Sequence, residues 1–143
     1  MRMVLTLAAV TALCVAGCSS PPPAAPLPGT LVVGTAQVTV NDADAGTTDA
    51  VQCSVAGPLT TITTGDDQSG VTALVSNADG LTAESVSIRN LGGFTGSYNA
   101  GLGDEAQVTQ KGRTYDISGT ADGFQLDKPS FRTSGTFTIK VAC

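Results

Sequence analysis

Apolar and polar residues alternate along most of this chain in short runs, each closed by a turn signal. Val38-Thr39-Val40 ends one such run, Leu31–Val40. Val86 and Ile88 share a side of Ser85–Arg89, and Phe137, Ile139 and Val141 share a side of Thr136–Cys143. A period of two is the pattern of a strand with one buried face. Further runs are Ala50–Val55, Leu59–Thr64, Val71–Val75, Phe94–Tyr98, Glu105–Gln110 and Arg113–Ser118. In Leu59–Thr64 the residues Thr60 and Ile62 lie opposite Leu59 and Thr61; in Arg113–Ser118, Tyr115 and Ile117 share a face. Asn41-Asp42-Ala43-Asp44-Ala45-Gly46 is expected to be a turn or loop, as are Gly65-Asp66-Asp67, Asn77-Ala78-Asp79-Gly80 and Ala100–Asp104. Leu91–Gly93 is a glycine-rich bend, and Lys111-Gly112 is a hairpin signal. Asp122-Gly123 and Lys128-Pro129 bracket a looser stretch, and a single helical turn is allowed near Asp79–Ser85. The pattern predicts an all-β fold, an antiparallel β-sandwich or barrel-like single domain of about eight or nine short strands. No segment offers the crossover helix that a parallel sheet needs.

The first residues follow a different pattern. Val4–Val15 is a continuous apolar run of twelve residues, whereas a membrane span needs roughly 20. Arg2 precedes it, and Val15-Ala16-Gly17-Cys18 closes it. A basic start, a short apolar stretch and a small-residue cleavage site form an export signal. With cysteine at the cut, it is the signal of a bacterial lipoprotein. Cleavage is expected between Gly17 and Cys18, with the Cys18 sulfur carrying diacylglycerol and its freed amine an acyl chain. Ser19 to Gly29 then holds five prolines in eleven residues. Such a stretch prefers extended polyproline II and serves as a tether. The expected organisation is residues 1–17 as signal peptide, 18–29 as lipidated N-terminus and proline-rich tether, and 30–143 as β domain.

Charge and cysteine content narrow the function. Without Arg2 the chain keeps six basic residues against twelve acidic ones. That balance argues against a nucleic-acid surface and against electrostatic docking on anionic lipid. Membrane attachment then rests on the acyl chains, each buried methylene contributing about 0.8 kcal/mol. Of four cysteines, Cys14 leaves with the leader and Cys18 is acylated. Cys53 and Cys143 remain, an even pair in an exported chain, and are expected to form a disulfide. A two-cysteine metal site is the rival reading, but the chain has no histidine to complete the ligand set.

Catalytic candidates are few. The absence of histidine excludes Ser-His-Asp and Cys-His arrangements. Asp66-Asp67 and Asp104-Glu105 are adjacent carboxylate pairs, but neighbours in extended chain point to opposite sides and do not converge. Asn41–Gly46 has oxygen ligands at alternate positions, yet Ala45 and Ala50 stand where a calcium loop needs donors. Gly92-Gly93 and Gly96 are not followed by a helix, so they mark a bulge or a close strand approach rather than a nucleotide fingerprint. The six aromatics, Phe94, Tyr98, Tyr115, Phe124, Phe131 and Phe137, are mostly core candidates. No catalytic residue, cofactor, metal ligand or small-molecule substrate is expected. An apolar cavity between β layers would instead make the domain a lipid or glycolipid carrier.

Several segments carry a family resemblance. These are Val51-Gln52-Cys53-Ser54 with Ala56-Gly57 and the Thr/Ile run to Gly65, and Glu84-Ser85-Val86-Ser87-Ile88-Arg89-Asn90-Leu91. The run from Lys111-Gly112-Arg113-Thr114-Tyr115 to Asp122-Gly123, and the ending Phe137-Thr138-Ile139-Lys140-Val141-Ala142-Cys143, complete the set. In this order they resemble the LpqH-type mycobacterial lipoprotein antigens, with both cysteines at the matching places. The resemblance implies a surface-exposed envelope lipoprotein acylated at Cys18. It implies recognition by host Toll-like receptor 2 through the acyl chains, an antigen and adhesin role, and no enzymatic activity. Relatives tend to carry a threonine-rich, O-glycosylated tether; here only Ser19, Ser20 and Thr30 offer hydroxyls.

Overall fold

One-sided burial sorts the chain into ten strands. The computed structural model describes residues 17, 20–22, 25 and 27–143. In chain order the strands are β1 (Ala36–Val40), β2 (Ala43–Thr48), β3 (Val51–Ala56), β4 (Leu59–Gly65) and β5 (Gly70–Ser76). They continue as β6 (Thr82–Leu91), β7 (Phe94–Asn99), β8 (Gln107–Lys111), β9 (Thr114–Gln125) and β10 (Arg132–Ala142). All pair antiparallel in one sheet of order β2-β1-β10-β9-β7-β6-β5-β4-β3. Strand β8 lies off this path, because β9 is long enough to serve two partners. Its first part, Thr114–Ser118, pairs β8, and its last part, Asp122–Gln125, pairs β7. The sheet curls into a nearly closed barrel around one core.

The alternation expected for β4, β6 and β10 is the one observed. Thr60, Ile62 and Thr64 are buried on β4, Val86 and Ile88 on β6, and Phe137, Ile139 and Val141 on β10. The apolar ones among these side chains join Val38, Val40, Val71, Val75, Phe94 and Ile117 in a single cluster. Phe94 is fully buried because glycines make room for it. A Cβ at Gly96 would lie 2.6 Å from the Phe94 ring, and one at Gly135 would lie 2.9 Å from it. The close approach expected at Gly96 is therefore an aromatic ring held between strands. Tyr98 meets Phe137 with ring centroids 6.3 Å apart, a tilted arrangement that aromatic quadrupoles favour.

Several local expectations are corrected. Asn41–Gly46 is not a loop but a tight turn followed by β2. Asn41 and Asp42 have φ of 52° and 62°, and two positive central φ values are what a two-residue hairpin needs. Strand β2 escapes the sequence pattern because its residues are small or polar and none is buried, so the count is ten rather than eight or nine. Of the looser stretch bracketed by Asp122-Gly123 and Lys128-Pro129, the first part lies inside β9, which runs to Gln125, and only the part from Leu126 on is a turn. A Cβ at Gly123 would fall 1.9 Å from the Thr95 carbonyl oxygen, so glycine there permits close strand packing rather than flexibility. Near Asp79–Ser85 the chain makes no helical turn; β6 starts at Thr82. Phe131, grouped with the core aromatics, is 72 % exposed on the loop between β9 and β10.

Candidate functional site

Cysteine placement comes first. Cys53 on β3 and Cys143 just after β10 form a disulfide with Cα atoms 5.9 Å apart. Strand β3 ends one side of the sheet, while β10 stands third from the other. The bond therefore ties the marginal strand β3 to the end of an inner strand across the curl of the sheet. Cys143 is further fixed by its N–H, which donates to the Arg113 carbonyl at 2.9 Å, and by the Arg113 guanidinium, which donates to the Cys143 carbonyl. Strand β10 is central and well paired, with eleven register partners on β9 and five on β1.

Gly17, the residue before the expected cut, is exposed. Cys18, the position expected to carry lipid, lies outside the described residues, as do Ser19, Pro23, Ala24 and Pro26. The end of the tether does. Lys111 Nζ donates to the Pro28 carbonyl at 2.6 Å, and the Leu31 N–H donates to Thr114 Oγ1 at 3.1 Å. The Gly34 N–H donates to the Ala142 carbonyl at 2.8 Å, and the Ala142 N–H to the Thr35 carbonyl at 3.0 Å. Thr30 and Thr35 hydroxyls donate to the carbonyls three residues back, Leu27 and Val32. Such Ser/Thr turns fold the chain locally. Residues 27–35 are thus clasped to the end of the barrel where β9 begins. Sequence reasoning missed this clasp: Lys111 and Pro28 are 83 positions apart, and nothing local marks the pair.

The carboxylate pairs serve turns. Asp66 Oδ1 accepts from the N–H groups of Gln68 and Ser69 at 2.8 and 2.9 Å. The Asp66 N–H donates to the Ser69 carbonyl, closing the β4–β5 turn. Those hydrogen bonds from Ser69 and Gln68, with the Arg89 charge nearby, hold the Asp66 carboxyl below its ordinary value. A carboxylate held ionised in this way is a poor general acid. In the Asn41–Gly46 segment, Asn41 Oδ1 accepts from the Thr136 N–H and Asp44 Oδ1 from the Gly46 N–H. Among the described residues no three Asp, Glu, Cys or His side chains group as metal ligands.

Surface clefts are lined by both polar and apolar side chains. One of about 350 Å³ is lined by Ser97, Asn99, Asp104, Thr120, Asp122 and Arg132. Another, between Val38, Gly46, Thr64 and Leu91, holds about 220 Å³, below the roughly 300 Å³ floor of ligand pockets. The apolar side chains of the interior pack against one another as one cluster, so a carrier cavity finds no support in the packing.

Comparison with known proteins agrees with this arrangement. Residues 29–143 match the family described as Mycobacterium 19 kDa lipoprotein antigen. A protein described as a lipoprotein from Mycobacterium indicus pranii is 39 % identical over 143 residues, covering 99 % of this chain and 98 % of its own length. Another from Mycobacterium avium subsp. hominissuis is 39 % identical over 113 residues, 78 % of each chain. Lipoprotein LpqH of Mycobacterium tuberculosis is 30 % identical over 108 residues, 75 % of this chain and 68 % of its own. The matched region spans the whole barrel and both disulfide cysteines, and on that ground the chain belongs to the mycobacterial 19 kDa lipoprotein antigen family.

Proposed function

We propose that this protein is a lipid-anchored display protein of the cell envelope, held on the extracytoplasmic face by acyl chains on Cys18. Residues 1–17 are removed by cleavage between Gly17 and Cys18, residues 18–29 carry the lipid and the tether, and residues 30–143 form the displayed domain. The observation that carries the reading is the coincidence of Val15-Ala16-Gly17-Cys18 with a chain-long match to lipoproteins. The domain itself acts by presenting a surface rather than by catalysis. The Asp66 and Asp44 carboxylates are engaged in turns, and the chain has no histidine. Recognition by host Toll-like receptor 2 through the acyl chains, and an adhesin-like role, extend the same reading to partners.

The test is a Cys18→Ala variant expressed in a host with a lipoprotein-processing pathway. The parent chain partitions with membranes and its N-terminal peptide gains the mass of diacylglycerol and an acyl chain. The variant appears in the soluble fraction and fails to activate reporter cells bearing Toll-like receptor 2. A variant that stays membrane-bound, or a parent without added mass, refutes the anchor. A parent that is acylated yet silent on reporter cells refutes the receptor role alone.

A further inference from the structure

The clasped end of the tether leaves three aliphatic side chains in water. Among the described residues, seven large hydrophobic side chains stand exposed, and three of them fall within residues 27–33. Leu27 is 65 % exposed, Val32 62 % and Val33 52 %. The exposure follows from the backbone. The Thr30 N–H donates to the Leu27 carbonyl and the Thr35 N–H to the Val32 carbonyl, so two tight turns project these side chains away from the barrel. The hydrogen bonds to Lys111, Thr114 and Ala142 hold the turns in place. The patch is therefore a fixed surface of the domain.

Position and charge indicate what covers it. Only eight residues, 19–26, separate the patch from Cys18, a reach of about 28 Å at full extension. Two cations, Lys111 and Arg113, stand at the same end of the barrel. The nearest acid along β9, Asp116, faces Lys140 at 3.8 Å. One acid, Asp49, also stands at this end, directly after Thr48, which pairs with Ala36; Asp42 turns the chain at the opposite end of β1. Apolar side chains flanked by basic ones are the composition that settles at a bilayer interface.

We propose that Leu27, Val32 and Val33, flanked by Lys111 and Arg113, seat this end of the barrel on the phospholipid surface that holds the Cys18 acyl chains. The inference rests on the anchor reading above. The tether then orients the domain as well as spacing it. The end of β9 remote from Thr114, with the loop bearing Phe131, points away from the membrane. Twelve residues of strand separate the two ends, roughly 40 Å at the usual rise.

The chain has no tryptophan, so a single introduced indole reports its own surroundings. Full-length, lipidated Val32→Trp and Phe131→Trp variants are reconstituted into phosphatidylethanolamine and phosphatidylglycerol vesicles. Their phospholipids are brominated near the glycerol end of the acyl chains. Both proteins are expected to float with the vesicles. The indole at position 32 loses most of its emission to bromine quenching; the indole at 131 keeps its own. Replacing Val33 by Asp and Lys111 by Ala within the Val32→Trp chain restores most of the lost emission. Flotation with an unquenched indole at 32, or equal quenching at both positions, overturns the seating while leaving the anchor intact. Failure of both chains to float overturns the anchor and the seating together. A Leu27→Trp variant, at an equally exposed position, repeats the measurement should the first substitution disturb folding.

Discussion

Removing the disulfide by a Cys53→Ser/Cys143→Ser double substitution gives the sharpest check on the fold. The two cysteines are 90 positions apart, so the bond restrains nearly the whole domain when it unfolds. The chain-entropy relation, −2.1 − 1.5R ln n, gives about 15 cal/mol/K for such a loop, or about 4–5 kcal/mol at 25 °C. Little of the effect comes from lost packing. Cys53 is exposed, and every β3 residue except Val51 lies on the surface. Serine therefore leaves no cavity at the β3 end. For a domain whose total stability is on the order of 5–15 kcal/mol, such a loss is a large share. With an m-value of about 2 kcal/mol/M in urea, the midpoint drops by roughly 2 M. Equilibrium urea unfolding, followed by circular dichroism on oxidised parent and double variant, measures it. Hydrogen exchange adds location: β3, paired only to β4, exchanges first in the variant, while β9 and β10 stay protected. A loss below about 1 kcal/mol, with β3 still protected, would falsify the account, because the entropy term and the tie from β3 to the end of β10 would both be absent.

Three further outcomes follow from the packing and the turns. Phe94→Ala empties the space between Gly96 and Gly135 and is expected to lower stability by about 3–5 kcal/mol, read by the same urea titration. Gly123→Ala places a methyl 1.9 Å from the Thr95 carbonyl. The β7 and β9 backbones must part, with a loss of about 1–3 kcal/mol and a lowered thermal midpoint; an unchanged midpoint would show that the strands separate freely there. Asp66 has its folded-state pKa lowered from 3.8 by hydrogen bonds from Ser69 and Gln68. Its contribution is therefore present above that ordinary value and fades as pH falls through the lower folded value. Amide shifts of Gln68 and Ser69 followed by NMR should titrate with a midpoint below 3.8, and Asp66→Asn should abolish that step.

Much of the barrel was legible because alternation and burial coincide. Val86 and Ile88, or Phe137, Ile139 and Val141, state their inner face in the residue order itself. The disulfide was legible from parity, since only Cys53 and Cys143 remain free for it. Strand β2 was not, because a strand at the sheet margin with no buried residue has no apolar rhythm to show. Nor was the continuity of β9 through Gly119 and Gly123. Glycine usually interrupts a strand, and here it admits Phe137 and the β7 backbone from neighbours whose proximity only the fold creates. The clasp of Pro28 and Leu31 by Lys111 and Thr114 depends on the same long-range closure.

The last strand is also an inner one, paired on both sides. Ala36 pairs with Val141, and Thr114 with Ala142, so the sheet cannot close until the final residues of the domain are in place. From β3 to β7 each strand pairs with its successor, and such hairpins assemble from local contacts. The β1–β10 pairing instead closes a loop of almost the entire domain, a non-local step that is slow and late. A chain lacking its final dozen residues therefore has no finished barrel to form. During synthesis this ordering keeps the chain from closing early. While its end is still being made, the part already synthesised has no native state to be trapped in. Once the whole chain has emerged, arrival of β10 completes the sheet and brings Cys143 to Cys53 in the same step.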